Sequence, residues 1–380
     1  MYDIIIIGSG FAGAVVAERE ASRGKKVLVL EKRTHIGGNC YDEPDAQGIL
    51  IHKYGPHIFH TNNKEVFEYL SEFTEWYDYS HEVVANLNGT FVPVPFNLNT
   101  LKIVYGEEKA NELEKKLIDE YGYGNRVPIL KLRENTDADI QGIADFVYEN
   151  IFLKYTMKQW GQTPEEIDPA VTGRVPVLIS NDNRYFQDEY QGMPKDGFTP
   201  LFEKMLANDN ITVRLNTDAG ALLEFKEDGI YFEGCKFAGK IVYTGALDEL
   251  FDCKYGRLPY RTLRFDFSYL KEEEYQPKAV VNYTVSEEFT RITEFKKLTG
   301  QKAEGTTIMK EYPSAYTGNQ DEIPYYAIIN EANMEMYKKY TDLLEKYDNF
   351  YLLGRLAEYK YYNIDGIVEK ALDLVKELEK

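Results

Sequence analysis

A glycine-rich segment near the start of the chain has the spacing that binds dinucleotide phosphates. Residues 8–13 read GSGFAG and directly follow the aliphatic run at residues 4–7. In this pattern Gly8 makes the tight turn, Gly10 lets a pyrophosphate approach the backbone, and Gly13 lets a helix pack on the strand. The N-terminus of that helix offers unpaired N–H groups and a favourable dipole to the pyrophosphate. The alternative is a glycine-rich turn in an unrelated α/β protein.

An acidic residue and a second glycine pair follow the next predicted strand. Residues 26–30 lead to Glu31, whose carboxylate can accept hydrogen bonds from ribose hydroxyls. Gly37 and Gly38 come soon afterwards and indicate that the backbone approaches the cofactor again. This second element is typical of FAD proteins rather than NAD dehydrogenases, so the sequence predicts FAD. An ordinary surface turn is the alternative.

Two of the five histidines, His57 and His60, lie three residues apart beside a Gly-Pro turn. An imidazole next to a flavin would bind a substrate or tune the ring. Two hydrogen-bonded loop histidines are the other interpretation, and composition alone favours it. The sequence offers no third ligand nearby, so no metal site is predicted.

A predicted helix that ends near residue 160 carries an unusual set of side chains on one face. On a regular α-helix five residues share that face: Phe152, Tyr155, Thr156, Gln159 and Trp160. Two benzene rings, a hydroxyl, an amide and an indole suit a binding wall better than a core stripe. An ordinary mixed helix face is the alternative, and the pattern alone does not separate the two.

The chain carries a formal net charge of −19, from 63 acidic against 44 basic residues. Such a surface repels phosphate backbones, so nucleic acid is excluded as a partner. Any anionic substrate must therefore be met by locally placed cations. Arg174 lies in a helix-free segment that runs to about residue 185, and it would serve on a loop that closes over a substrate. A solvated arginine on a surface loop is the alternative.

At 380 residues the chain fits two or three domains. Three cysteines are too few and too scattered for a disulfide framework or a zinc site. The apolar run at residues 4–7 is far too short to span a bilayer, and no signal peptide precedes it. The sequence therefore predicts a cytoplasmic protein with no membrane insertion.

The elements that position these residues predict an α/β fold with a discontinuous Rossmann-like FAD-binding domain, an inserted helical domain and an antiparallel β-sheet domain. Aliphatic runs at 3–7, 26–30, 241–244 and 350–353 predict buried strands, and Asn88-Gly89 predicts a hairpin turn. Helical patterns cover 65–77, 103–121, 140–160 and the C-terminal stripe from Val368 to Leu378, and 211–215, 222–225 and 230–232 predict a β excursion.

The predicted domain boundaries follow from this pattern. The FAD-binding domain comprises residues 1–80, 192–250 and 312–380. The helical domain, with its substrate-facing helix, comprises residues 96–165. The β-sheet domain and a mobile loop comprise residues 81–95, 170–191 and 251–311.

Over nearly its whole length the chain resembles the bacterial UDP-galactopyranose mutase family. The motifs that carry the resemblance are GSGFAG, GPHIFHT at 55–61, KYTMKQWG at 154–161, TGRVPV at 172–177, PYRTL at 259–263 and LGRLAEYKYYNID at 353–365. Several of these strings are rare, and their order is shared with the family.

The resemblance implies an isomerase that interconverts UDP-galactopyranose and UDP-galactofuranose. It implies FAD that is active as reduced FADH⁻: N5 of the flavin attacks the anomeric carbon, UDP leaves, and the covalent adduct opens as an iminium before the sugar recloses through another hydroxyl. It also implies a homodimer that serves cell-wall or polysaccharide biosynthesis. No Ser/His/Asp arrangement or obvious carboxylate pair in the sequence competes with this chemistry.

The resemblance also implies roles for individual residues. It implies catalytic roles for Arg174, Arg291, His60 and His57. It implies cofactor contacts at Gly8, Gly10, Phe11, Gly13, Glu31, Lys32, Gly38, Asn39, His57 and Arg355. It implies substrate contacts at Phe152, Tyr155, Thr156, Trp160, Arg174, Tyr185, Arg261, Asn282, Arg291, Tyr326 and Tyr361. Among these, Arg174 and Arg291 would bind the diphosphate, and Tyr185 and Phe152 would hold the uracil.

Two positions depart from the family pattern. Asn363 stands where much of the family has aspartate, and His81 stands where asparagine is frequent. These departures leave UDP-N-acetylgalactosamine open as the substrate of a related mutase. Two further interpretations stay open, namely an FAD-dependent oxidase or dehydrogenase of the amine-oxidase type and a non-catalytic nucleotide-sugar-binding protein.

Overall fold

The computed structural model describes residues 2–163 and 176–379. The chain divides into two compact units. The first unit comprises Met1–Asp78, Asp188–Tyr260 and Tyr316–Lys380, and the second unit comprises Tyr79–Gln187 and Arg261–Ala315. Segments predicted for the helical domain and most of those predicted for the β-sheet domain thus lie in the second unit.

The strands of the described residues follow in chain order. They are Ile4–Ile7 (β1), Val27–Leu30 (β2), Asp42–Pro44 (β3), Leu50–His52 (β4), Phe59–Thr61 (β5), Trp76–Asp78 (β6), Val83–Leu87 (β7), Thr90–Val94 (β8), Arg126–Val127 (β9), Val177–Leu178 (β10), Tyr190–Pro194 (β11), Ile211–Arg214 (β12), Leu223–Lys226 (β13), Gly229–Phe232 (β14), Cys235–Lys236 (β15), Lys240–Tyr243 (β16), Tyr260–Leu270 (β17), Val280–Tyr283 (β18), Arg291–Glu294 (β19), Thr306–Ala315 (β20), Tyr326–Ala327 (β21) and Phe350–Leu352 (β22).

The helices of the described residues are given in the same way. The α-helices are Phe11–Ser22 (α1), Lys64–Ser71 (α2), Leu98–Tyr105 (α3), Glu107–Tyr121 (α4), Ile129–Arg133 (α5), Ala138–Val147 (α6), Lys154–Trp160 (α7), Phe198–Met205 (α8), Leu247–Leu250 (α9), Phe295–Thr299 (α10), Glu331–Thr341 (α11) and Ile364–Leu378 (α12). A π-helical turn, Tyr148–Leu153, joins α6 to α7.

A parallel sheet of order β12-β2-β1-β16-β22 forms the centre of the first unit. Every residue of β1 and β2 is buried, as expected for strands covered on both faces. In the register of β1, Ile4 lies opposite Val27 of β2 on one side and opposite Lys240 of β16 on the other. α1 follows β1 directly and packs against α12. This arrangement confirms the predicted Rossmann-like fold, because the GSGFAG turn sits at the carboxyl end of β1.

A mixed sheet and a group of helices form the second unit. The strands of this unit follow the order β17-β20-β19-β18-β7-β8, with β18 parallel to β7 and the other neighbours antiparallel. One apolar core joins β7, β8 and β18 to helices α3–α6 and the π-turn. The predicted hairpin turn is confirmed, since Asn88 and Gly89 both have positive φ, at 52° and 96°.

Several predicted elements were wrong in extent or placement. Strand β12 is the edge strand of the parallel sheet, beside β2, rather than part of a separate β excursion. The helix predicted over 65–77 ends at Ser71, and its last residues form β6 instead. The predicted helix over 103–121 breaks at Gly106, which has φ of 75°. The 11-residue strand β17 was missed, although its polar and aromatic residues alternate.

Candidate functional site

Four glycines bring bare backbone together at the start of α1, and we call Gly8, Gly10, Gly13 and Gly38 the glycine cradle. Gly8 has φ of +101°, and a Cβ there would lie 2.0 Å from Thr244 Oγ1. A Cβ on Gly13 would lie 1.9 Å from the carbonyl oxygen of Gly8. Neither position tolerates a side chain, so the turn and the start of α1 pack closely against their neighbours only because both residues are glycine.

The second predicted glycine segment packs against the first. The Gly37 amide donates to the Ser9 carbonyl at 3.1 Å, and a Cβ on Gly38 would lie 3.1 Å from Gly10 Cα. Phe11, also predicted to contact the cofactor, is buried with its ring centroid 4.6 Å from that of Phe202. The structure therefore brings the two glycine segments into one surface.

The carboxylate of Glu31 is buried beside the cradle. One oxygen, Oε2, accepts from the Ser9 amide at 3.0 Å and from Ser9 Oγ at 2.7 Å. The other oxygen accepts from the Arg33 amide at 3.0 Å. Because a carboxylate has about four acceptor sites, these three bonds leave capacity for one ribose hydroxyl. By contrast, the ammonium of Lys32 lies 3.2 Å from Glu249 Oε2, and its side chain is largely exposed.

The guanidinium of Arg33 was not singled out from the sequence, yet it lies among the predicted cofactor residues. Its Nη2 donates to Asn39 Oδ1 at 2.8 Å, and its central carbon lies 4.4 Å from the ring centroid of Tyr54. Its Nη1 is buried and has no hydrogen-bond partner in the described part of the chain. A buried donor of this kind fits an acceptor atom of a bound dinucleotide.

The two predicted histidines have different environments in the first unit. Nδ1 of His57 lies 2.9 Å from the Gly55 carbonyl oxygen, and the His57 amide donates to Nδ1 of His52 at 3.0 Å. His60 lies on β5, with Nδ1 3.0 Å from a carboxylate oxygen of Asp188. Burial lowers the pKa of His52 to about 4, so this histidine is neutral at pH 7.

Arg355 and two predicted substrate tyrosines form a stacked group near the end of the chain. The Arg355 guanidinium carbon lies 4.3 Å from the ring centroid of Tyr361, and Arg355 Nε donates to the Tyr362 carbonyl at 2.6 Å. The rings of Tyr361 and Tyr326 stack with centroids 6.2 Å apart. Gly354 has φ of +107°, and a Cβ there would lie 3.5 Å from Ala12 Cβ on α1. This group therefore starts close to the cradle.

In the second unit the aromatic helix is not a regular α-helix. Phe152 lies in the π-turn, is 5 % exposed and belongs to the apolar core, whereas Tyr155 and Trp160 on α7 are half-buried. Thr156, also on α7, is buried. The Thr284 hydroxyl on the neighbouring segment donates to the Asn150 carbonyl at 2.5 Å, which satisfies a carbonyl within the π-turn.

Three side chains from neighbouring strands form a polar row, which we call the arginine row: Asn282, Arg291 and Glu311. The register pairs Asn282 with Arg291 and Arg291 with Glu311, so their side chains share one face of the sheet. Nη2 of Arg291 lies 3.0 Å from Oε1 of Glu311, which is 1 % exposed. Burial raises the pKa of Glu311, and the Arg291 charge partly offsets the rise. Glu311 was missed from the sequence.

Two cations fix α7 to the sheet. Arg261, predicted as a substrate contact, donates from Nε to the Gln159 carbonyl at 2.9 Å and from Nη2 to the Lys158 carbonyl at 3.0 Å. It thus caps the carboxyl end of α7. Lys158 Nζ lies 2.5, 3.0 and 3.2 Å from the carbonyl oxygens of Tyr283, Glu287 and Phe289. These carbonyls lie at the end of β18 and in the β18–β19 connection, which leads directly into Arg291.

The remaining predicted residues are Tyr185, His81 and Arg174. The Tyr185 ring lies edge-on to His81, with centroids 5.8 Å apart, and the Tyr185 amide donates to the His81 carbonyl at 2.7 Å. His81 is buried, and Nδ1 lies 2.9 Å from the Tyr79 hydroxyl. Arg174 lies outside the described residues. Across residues 2–163 and 176–379, no three His, Cys, Asp or Glu side chains are grouped to hold a metal ion.

Comparison with known proteins identifies the family. A sequence profile described as UDP-galactopyranose mutase matches residues 150–361. The chain belongs to the UDP-galactopyranose mutase family. A profile of the NAD(P)-binding Rossmann-like domain matches residues 6–73, which include the cradle.

Two curated relatives align with this chain over nearly the full length of both proteins. The UDP-galactopyranose mutase of Mycoplasma genitalium is 35 % identical over 99 % of this chain and 95 % of its own length. The dTDP-fucopyranose mutase of Escherichia coli is 33 % identical over 98 % of this chain and 97 % of its own length. The chain is therefore an enzyme of the mutase family, and its relatives act on more than one nucleotide sugar.

A solved structure agrees with this placement at the level of the fold. The crystal structure of a reduced UDP-galactopyranose mutase matches with a TM-score of 0.69 at 14 % sequence identity, covering 100 % of this chain and 94 % of that chain. Among the described residues, no helix combines the length and the apolar character needed to cross a membrane.

Proposed function

We propose that the protein is an FAD-dependent isomerase that interconverts UDP-galactopyranose and UDP-galactofuranose. The observation that carries this proposal is the near full-length similarity to the mutase of Mycoplasma genitalium. The glycine cradle supports the cofactor, because Gly8 and Gly13 exclude side chains and the neighbours Glu31 and Arg33 offer an acceptor and a buried donor. A dinucleotide such as FAD fits these groups.

The chain's own residues would bind the cofactor and neutralise the substrate. Amides around Gly10 and the start of α1 would face the pyrophosphate, and Glu31 would accept from a ribose hydroxyl. When bound and reduced, the flavin would supply a nucleophile, its N5, for chemistry at the anomeric carbon. His57 and His60 would act beside the flavin, and Arg355 would make the second contact with FAD.

The second unit would hold the nucleotide diphosphate. Arg291, fixed by Glu311, would stabilise charge on the leaving UDP, with Arg174 as the second cation. Asn282 beside Arg291 would bind the uridine, and Tyr185 with Phe152 would contact the uracil. Arg261 would act indirectly, since its Nε and Nη2 donate to carbonyls of α7. The resemblance also supports a cytoplasmic homodimer that serves polysaccharide or cell-wall biosynthesis.

The Escherichia coli relative favours a second candidate, a mutase that acts on dTDP-fucopyranose. The two substrates differ in the base methyl group, the ribose 2′-hydroxyl and the sugar 6-hydroxyl. The decisive experiment incubates dithionite-reduced protein with each nucleotide sugar and resolves the pyranose and furanose isomers by chromatography. Turnover of UDP-galactose well above dTDP-fucose is expected, and the reverse order would favour the second candidate.

Two additions to this experiment test the chemistry. Oxidised protein is the control, because an oxidised flavin N5 is no longer a nucleophile, and equal rates in both states would contradict the proposed role of the cofactor. Cyanoborohydride added during turnover should yield a flavin heavier by one sugar, detected by mass spectrometry. Net oxygen consumption with either substrate would instead indicate an oxidase.

A further inference from the structure

A histidine on strand β5 of the first unit is held by a carboxylate from a distant part of the sequence. Nδ1 of His60 lies 3.0 Å from Oδ2 of Asp188, and the two side chains are 10 % and 22 % exposed. Asn62 Nδ2 donates to the other oxygen of Asp188 at 2.9 Å. Neither Asp188 nor Asn62 belongs to the residues assigned above to cofactor or substrate.

The strand pairing around this group leaves little freedom for either partner. β5 pairs with β11 so that His60 lies opposite Gln191, and the Gln191 amide nitrogen Nε2 donates to the Asp188 carbonyl at 3.0 Å. The Glu189 amide donates to Asn62 Oδ1 at 2.9 Å. Asn62 therefore binds both the carboxylate and the backbone that follows it, and the carboxylate is fixed from two directions.

Acid–base chemistry then sets the state of the imidazole. An ionised carboxylate only accepts hydrogen bonds, so the Nδ1 that faces it carries a proton. In the neutral ring the lone pair must consequently lie on Nε2. The carboxylate thus selects one tautomer and one ring orientation, as outer-shell carboxylates do for histidines in other active sites.

We propose that Asp188 is a positioning residue that fixes the Nδ1–H tautomer and the ring orientation of His60. The consequence for catalysis rests on the proposed function, in which His60 acts beside the flavin. With the tautomer fixed, the same ring nitrogen, Nε2, offers its lone pair as a hydrogen-bond acceptor in every turnover. Loss of the carboxylate would let the proton move to Nε2 and would reverse the hydrogen-bonding character of that atom.

The first measurement concerns the tautomer and needs no activity. Nitrogen-15 NMR of histidine-labelled wild-type protein, with His60 assigned by the signals missing from His60→Gln, should show Nδ1 protonated and Nε2 unprotonated at pH 8. In Asp188→Asn, whose amide can donate to Nδ1, the two signals should move towards each other or exchange. A wild-type spectrum with the proton on Nε2 would overturn the proposal, whatever substrate the enzyme uses.

The second measurement links the tautomer to catalysis. Asp188→Asn should lower kcat by about tenfold or more with little change in KM, and the midpoint potential of the flavin should shift. Glu75→Gln is the matched control, because it removes a carboxylate that lies 2.5 Å from Lys195 in an exposed pair elsewhere in the same unit. Flavin content and circular dichroism establish that both variants fold.

The outcomes separate this proposal from the proposed function. If wild-type protein fails to isomerise any nucleotide sugar but shows the expected NMR signals, the assignment of the tautomer stands and the proposed function fails. If Asp188→Asn changes the NMR signals but neither kcat nor the flavin potential, the carboxylate fixes the tautomer of His60 without affecting catalysis, and the catalytic part of the proposal is overturned. Asn62→Ala provides a second variant, with a smaller change in the same direction expected.

Discussion

The glycine cradle of the first unit and the arginine row of the second unit are built by opposite means. The cradle offers backbone, and its defining property is close approach, because a Cβ at Gly13 or Gly8 would lie 1.9 or 2.0 Å from atoms already there. The row offers charge, and Arg291 is held by a glutamate that is 1 % exposed. The first region therefore depends on the absence of side chains, and the second depends on an ion pair between two side chains.

This difference determines how each region responds to change. Substitutions other than proline leave the backbone N–H in place, so the cradle is vulnerable to added atoms rather than to lost ones. A buried ion pair behaves in the opposite way, because removing one partner leaves the other charge without compensation. Truncation should therefore be harmful in the second unit, and enlargement should be harmful in the first.

The largest effect is expected at the arginine row. Arg291→Ala should lower turnover of UDP-galactose by about 10²–10³, because one charge-assisted contact to the leaving group is lost. Flavin content should be unchanged, since the cradle belongs to the other unit. Arg264→Ala is the control, removing the same charge from an exposed position on β17. Rates near wild type for Arg291→Ala would contradict the assignment.

His52 in the first unit is expected to change the free energy of unfolding by about 3 kcal/mol between neutral and acidic pH. Its folded-state pKa is about 4, below the ordinary 6.5, so the unfolded chain binds the proton more tightly. Its contribution is therefore present above pH 6.5 and is lost as the pH falls towards 4. Urea unfolding at pH 7.5 and 4.5 should show a larger loss of stability for wild type than for His52→Asn. Equal losses would place the burial of His52 in doubt.

Glu311 should respond to pH in the opposite sense. Its folded-state pKa is raised above the ordinary 4.5, so the folded protein binds that proton more tightly than the unfolded chain. The associated stability is present below pH 4.5 and declines as the pH rises. Glu311→Gln should remove this decline in the same unfolding experiment. The pH dependence of stability then distinguishes Glu311 in the second unit from His52 in the first.

Enlargement of the cradle should release the cofactor. Gly13→Ala places a Cβ 1.9 Å from the Gly8 carbonyl oxygen, and flavin occupancy at a fixed concentration should fall at least tenfold, equivalent to about 1.4 kcal/mol. Gly142→Ala on α6 is the control, since a Cβ there has no neighbour within 4 Å. The flavin absorbance of the two purified variants measures the effect. Full occupancy in Gly13→Ala would show that the cradle is more adaptable than its geometry indicates.

The smallest effect is expected from the cation that supports the row. Lys158→Met removes three contacts with carbonyls at the end of β18 and in the β18–β19 connection, and KM should rise several-fold, about 1 kcal/mol, with kcat less affected. Lys154→Met is the control, because that lysine is exposed on the same helix. Identical KM values for the two variants would remove Lys158 from the group that positions Arg291.

Predictability from the sequence follows the same division. Three of the four cradle glycines lie within one short motif, so residue spacing was enough to place Gly8, Gly10 and Gly13 at the end of β1. The row depends on strand register between segments that local pattern does not connect, and Glu311 was missed for that reason. The capping contact of Arg261 depends likewise on where α7 ends relative to β17. Asp188 was missed because its partner, His60, lies 128 positions away in the chain.

The π-turn has a consequence for the length of the chain. A π-turn accommodates one residue more than the α-helical path through the same space. Deleting a single residue within Tyr148–Leu153 would therefore let α6 continue into α7 as a uniform α-helix, and Tyr155 and Trp160 would keep their directions. A deletion inside α7 itself has no extra residue to absorb it, and every later residue of that helix would rotate by about 100°. Sequence alignments across the family should therefore treat a one-residue gap within the π-turn as neutral for the site and a one-residue gap within α7 as a change of site.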